Sequence, residues 1–120
     1  MKYDNERPDP PQYDVLSIYS VMGKKARQLS PNNSALAMGV RGDKKMHYKL
    51  GEIERRHWIA CGKRNGLARE IEQIIEEAIK QTPGVIEQVR AQLPAKFPTH
   101  VSEAILIGLK KAADALASQA

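Results

Sequence analysis

In the second half of the chain, apolar residues recur every three to four positions. That spacing commits the segment to helices that bury one face. Leu67, Ile71, Ile74, Ile75, Ala78 and Ile79 share a stripe, with Glu72, Glu76 and Lys80 opposite, so the pattern predicts a helix over 67–80. Thr82-Pro83 then reads as a cap followed by proline at the first helical position. The helix it opens carries Ile86, Val89 and Leu93 and stops at Pro94. Pro98-Thr99 opens another, whose Val101, Ala104, Ile105, Gly108, Leu109, Ala112 and Leu116 line one face. Gly108 and the alanines are small enough to admit a neighbouring helix at close range.

Upstream the period changes. Leu36, Met38 and Val40 alternate with small residues, and Met46, Tyr48 and Leu50 alternate with His47 and Lys49. A period of two places each triplet on one face of a strand. Arg41-Gly42-Asp43-Lys44-Lys45 between them supplies a turn, so the pair reads as a β-hairpin. A helix over 52–64 follows, ended by Asn65-Gly66, residue types that tolerate left-handed geometry. Before the hairpin, Val15 to Tyr19 forms a short apolar run that the Asp14 carboxylate is placed to cap, and a loop containing Gly23 closes at Ser30-Pro31. Residues 1–12, with Pro8, Pro10 and Pro11 and almost nothing apolar, read as an extended or disordered leader. The expected fold is mostly α: one helical domain over 13–120, a bundle with one small β-hairpin. Six aromatic residues leave its core aliphatic.

The net charge of +5 has a location. Residues 23–64 hold eleven Lys and Arg against Asp43, Glu52 and Glu54, an excess of +8, whereas the flanking segments are slightly acidic. Such a block points to phosphate-bearing partners or an acidic protein surface, against the plainer reading of a solvated face. Arg41, Lys44 and Lys45 sit at the hairpin turn. Arg55 and Arg56 lie on the following helix, on the side away from its apolar arc. These five are the candidate nucleic-acid or partner contacts. No helix-turn-helix or zinc-finger pattern accompanies them, and neither a Walker-type loop nor G-x-G-x-x-G occurs.

Cys61 is the one cysteine, so no internal disulfide is possible and a reducing cytosol is the expected setting. The apolar runs are short and the first dozen residues polar, so neither a membrane span nor a secretory signal is expected. His57 and Cys61, four residues apart on a helix, fit three readings: half of a zinc site, a thiol–imidazole dyad, or a core histidine beside a buried thiol. Ile53, His57, Ala60 and Cys61 form an apolar arc flanked by Trp58, which favours the core reading.

Several motifs together resemble one family. Pro11-Gln12-Tyr13-Asp14-Val15-Leu16-Ser17, Val21-Met22-Gly23 and Gln28-Leu29-Ser30-Pro31 are similar to the C-terminal part of HipA-family toxins. So are Leu36-Ala37-Met38-Gly39-Val40-Arg41, His47-Tyr48-Lys49-Leu50 and Ile53-Glu54-Arg55-Arg56-His57-Trp58. Thr82-Pro83-Gly84-Val85 and Leu93-Pro94-Ala95-Lys96-Phe97-Pro98 add support from the helical end. The Tyr13-Asp14 element and the later Arg56-His57-Trp58 are the most specific; the likeness runs from about Pro11 to the C-terminus.

The resemblance implies the C-terminal lobe of a serine/threonine protein kinase, the toxin of a bacterial toxin–antitoxin pair. It implies ATP and Mg²⁺ as cofactors of the complete kinase, none for this chain alone, and a HipB-like DNA-binding antitoxin as partner. Operator DNA is then contacted through the complex. By the same likeness Asp14 matches the Mg²⁺-holding aspartate, and Tyr13, His57 and Trp58 belong to the fold motif. The family's phosphate loop, ATP-contacting lysine and catalytic-loop aspartate and asparagine lie upstream of Tyr13-Asp14, and these 120 residues hold none of them. Many members also carry bases where Asn33 and Ala35 stand. The expectation is therefore a C-terminal kinase fragment, catalytically incomplete alone, that keeps an antitoxin- or DNA-facing surface. The alternatives are one half of a split kinase completed by a separate N-terminal half, and a basic nucleic-acid-binding module or gene remnant.

Overall fold

A computed structural model describes residues 17–119. Tyr13 and Asp14, and the leader before them, lie outside the described residues. Within them, β1 (Ala35–Arg41) and β2 (Met46–Lys49) form an antiparallel hairpin. Three α-helices follow, α1 (Arg55–Arg64), α2 (Ile71–Gln92) and α3 (Thr99–Ser118). Single 3₁₀ turns stand at Tyr19–Val21, Pro31–Asn33 and Leu50–Glu52. The mostly helical fold with one small hairpin is as expected from the sequence.

The hairpin is less regular than its alternation implies. Arg41 faces Met46 and Val40 faces His47, but the next registered pair is Ala35 with Lys49. β1 covers five residues where β2 covers two, so its middle bulges out of the ladder. The bulge breaks the period: Val40 is buried, whereas Met38, expected on the same face, is 83% exposed. Gly39 lies under the ring of Tyr48, which an added Cβ would approach to 2.9 Å.

α1 begins three residues later than its pattern predicts, because Ile53 and Glu54 are extended after the 3₁₀ turn. Glu54 is the N-cap, and His57 Nδ1 accepts its backbone N–H at 3.0 Å. That bond is the reciprocal half of a capping box, with histidine in the place glutamate usually takes. The helix stops as expected at Asn65 and Gly66, the latter at φ +84°. Gly62 is buried against Ile71 and leaves no room for a Cβ, so the α1–α2 corner closes tightly.

The largest correction concerns Pro83. Two helices were expected, divided at Thr82-Pro83; the structure has one continuous α2 with Pro83 inside it. Proline removes one ladder bond and costs an interior helix roughly 3 kcal/mol. Two features offset that. Thr82 Oγ1 donates to the Ala78 carbonyl at 2.6 Å. The inward stripe also stays in phase across the proline, since Ile71, Ile75, Ile79, Thr82 and Ile86 all turn from solvent to some degree. Burying one uninterrupted face on α3 outweighs one lost bond. Ile74 and Val89, assigned to the stripes from spacing, lie at its exposed edge.

α3 buries Leu106, Gly108 and Ala113 and packs on two sides. One side meets α2, where Arg90 makes a two-pronged ion pair with Glu103 at 3.0 and 2.9 Å. The other side meets the Tyr19–Val21 turn. Gly108 admits the ring of Tyr19, not a helix, and an added Cβ would overlap that ring. Val40, Ile75, Ile86, Leu106 and Ala113 are the buried apolar residues among those described. No helix of the described residues is long and apolar enough to cross a membrane.

Candidate functional site

Of the five basic residues singled out in the sequence, Lys44, Lys45 and Arg56 come together. They line a hollow of about 340 Å³ between the hairpin turn and the first turn of α1, with Asp43, His47 and His57 completing its wall. The turn is held in place from the other end of the helix. Arg64 Nη1 donates to the carbonyls of Gly42 (2.9 Å) and Arg41 (3.3 Å), and Gly42 N–H donates to Lys45 O (3.0 Å). Gly42 is buried where an added Cβ would stand 3.0 Å from His57 Cδ2 and 3.2 Å from His47 Nε2. A side chain here would require the imidazoles to give by a few tenths of an ångström, so glycine suits a turn held this close to both.

The two histidine rings stack, with centroids 3.7 Å apart and planes 18° from parallel. His57 is 5% exposed. With Nδ1 accepting from Glu54, its neutral ring carries its proton on Nε2. Burial pushes the His57 pKa below its ordinary value, and the nearby charges of His47 and Arg56 push it the same way against Glu54 and Asp43. Glu54 is held lower than an ordinary carboxylate, chiefly by the hydrogen bond and charge of Arg56, 2.9 Å away. The sequence reading of His57 as a core histidine captures its burial. Its cap and its stacking partner had no sequence signal, because His47 reaches it only through the hairpin register.

Arg55 overturns an expectation. Neighbouring positions on a helix point about a quarter-turn apart, and here one of the pair turns inward. Arg55 is 6% exposed; its Nη1 donates to Leu116 O at 3.2 Å and its Nη2 pairs with Glu76. Gln119 Oε1 accepts its backbone N–H at 2.8 Å. It joins α1 to α2 and α3, and it is removed from the contact surface. Arg56 remains exposed, and Arg41 is exposed beside the turn without lining the hollow.

The sequence matches no family model. The HipA likeness rests on the motifs quoted above.

Cys61 is a free, half-buried thiol whose Sγ accepts from Asn65 Nδ2 at 3.6 Å. Among the described residues no group of three or more His, Cys, Asp or Glu is arranged to hold a metal ion. A larger hollow of about 560 Å³ lies between the Tyr19 turn and α3, lined by Tyr19, Met22, Leu50, Ile107, Gly108 and Lys111 among others. Its lining offers one charged group, so chemistry that needs several converging polar groups points to the basic hollow instead.

Proposed function

We propose that this chain is a HipA-like C-terminal helical domain that carries out no phosphoryl transfer by itself. It acts as a binding module of a cytoplasmic toxin–antitoxin complex, presenting Lys44, Lys45 and Arg56 to the phosphates of duplex DNA. The observation that carries the reading is the convergence of these three bases, from two separate elements, on one solvent-open hollow. Phosphate contacts from Lys and Arg supply affinity without sequence readout, which suits a domain with no recognition-helix pattern. Phosphoryl transfer depends on positioning by a phosphate grip and a catalytic aspartate, and these residues contain neither a Walker-type loop nor G-x-G-x-x-G.

Anisotropy with a labelled duplex tests this. Binding should be present at low salt and weaken with a log–log slope of about −0.9 for each phosphate contacted. Replacing Lys44 and Lys45 together by alanine should flatten that slope. A duplex that does not bind at low salt overturns the DNA-facing role, and clear thermal stabilisation by MgATP overturns the non-catalytic one.

A HipB-like antitoxin or a separately encoded N-terminal kinase half is the partner the resemblance implies. In the split-kinase reading, mixing the halves restores phosphorylation that needs Asp14. An Asp14→Ala chain that reconstitutes full activity would sink it.

A further inference from the structure

The two walls of the basic hollow are each held from outside it. Arg64 ties the hairpin turn to the far end of α1, and the other wall, the first turn of α1, is tied to the end of α3. Arg55 N–H is one of the donors that a helix start leaves without an intrahelical acceptor. Gln119 Oε1 accepts it at 2.8 Å across 64 positions of sequence, and Leu116 O accepts from Arg55 Nη1 at 3.2 Å. α1 packs chiefly on β1 and α2, so these two bonds are its main tie to α3. Arg56 and His57, which line the hollow from α1, follow Arg55 directly. We propose that Gln119 is a positioning residue for the basic hollow: by accepting the Arg55 N–H it keeps the first turn of α1 helical, and with it the backbone that presents Arg56 to a phosphate.

A helix start is where the backbone opens most readily, because its first N–H groups have no ladder bond. At α1 two of them are satisfied by side chains: Glu54 N–H by His57 Nδ1 within the turn, and Arg55 N–H by Gln119 from outside it. Without the second bond the turn frays, and Arg56 loses its fixed place beside Lys44 and Lys45, which stand on a separately anchored element. Gln119 is neutral and does not line the hollow. It therefore acts on where a cation stands and leaves the number of cations unchanged. One neutral hydrogen bond shifts the balance between docked and frayed turn by about two- to tenfold. By linkage, an anion that binds the docked form strengthens the tie by the same factor that the tie strengthens the anion.

This rests on the proposed phosphate-facing role, deepens it and is separable from it. Anisotropy with a short labelled duplex over a range of salt reads affinity, and NMR hydrogen exchange reads the Arg55 amide. Gln119→Met matches the side chain in length but lacks the amide oxygen; Gln119→Glu keeps an acceptor. Both variants should fold, since the residue is exposed. Gln119→Met should weaken duplex binding by up to about tenfold at every salt concentration and leave the salt slope unchanged, because the same phosphates are contacted. Arg55 exchange should quicken in Gln119→Met, stay slow in Gln119→Glu, and slow further when duplex binds the native chain. A contact that only stabilises the fold would lower the urea midpoint and leave duplex affinity alone; that result overturns the inference and keeps the DNA-facing role. A slope shallower by about 0.9 also overturns it, because a phosphate contact and not a position would have been lost. If the duplex does not bind at low salt, the DNA-facing role falls and inorganic sulfate decides. Slower Arg55 exchange with sulfate, lost in Gln119→Met, upholds the positioning of a free-anion site; unchanged exchange overturns it.

Discussion

Arg55→Ala separates a structural cation from a binding one. The guanidinium is buried at the start of α1, the end of its own helix where a positive charge is unfavourable. It is stabilised there by the C-terminal end of α3, where the Leu116 carbonyl is among the last of the helix and carries the negative end of that dipole. A hydrogen bond from a charged donor contributes about 1.5–3 kcal/mol, and the Leu116 contact belongs at the lower end at 3.2 Å. The ion pair is worth less, about 1 kcal/mol, because the Glu76 side chain is 59% exposed and screened by water. Lost packing of the buried stem adds roughly 1 kcal/mol. The total is about 3.5 kcal/mol, a large share of the roughly 5–15 kcal/mol that holds a small domain together. Urea denaturation with matched m-values should show this loss, and thermal unfolding should fall by about 10–20 °C. Arg55→Lys should recover part of it, since lysine keeps the charge but lacks the fork that spans two acceptors. A variant with an unchanged urea midpoint and a DNA salt slope reduced by about one would refute the structural role and return Arg55 to the binding surface.

Three further outcomes follow from packing, backbone and charge. Gly108→Ala should destabilise by about 1–3 kcal/mol in urea, despite alanine's better helix propensity, because its methyl overlaps the Tyr19 ring; a more stable variant would mean that Tyr19 does not pack there. Arg27 holds φ at +66° in the turn closed by Gln28 N–H to Lys25 O, so Arg27→Gly should stabilise by roughly 0.5–1 kcal/mol, checked by the urea midpoint. His57 has a folded pKa below its unfolded one, so the unfolded chain binds more protons between the two values. Its contribution to stability is complete above the ordinary histidine pKa of 6.5 and declines as pH falls below it, which denaturation in anion-poor buffer at several pH values should show and His57→Gln should flatten.

The helical class, the hairpin and the stop at Asn65-Gly66 were legible because each is local. Apolar period, turn residues and left-handed tolerance all act within a few positions. The same local signals misplace what depends on a distant neighbour. Thr82-Pro83 has the chemistry of a helix start, yet α2 runs through it because α3 offers an uninterrupted face to bury. Met38 has the right parity for the core, yet a bulge in β1 turns it to solvent.

The site divides along the same line. The basic block at the turn and at Arg56 could be read directly, since charge is a property of composition along the chain. Which cations remain available was decided only by packing: Arg55 is drawn inward by the carbonyl end of a helix some sixty residues later, while its neighbour Arg56 stays in water. Likewise His47 and His57 are unremarkable as separate letters. They become one stacked pair because the hairpin register, a turn glycine and the Arg64 anchor bring β2 onto the first turn of α1. Sequence determined where positive charge is concentrated and which segments are helical, because both follow from local residue chemistry. Tertiary structure decided which of those charges can meet a ligand, because a side chain's surroundings are set by chain segments its own neighbours do not encode.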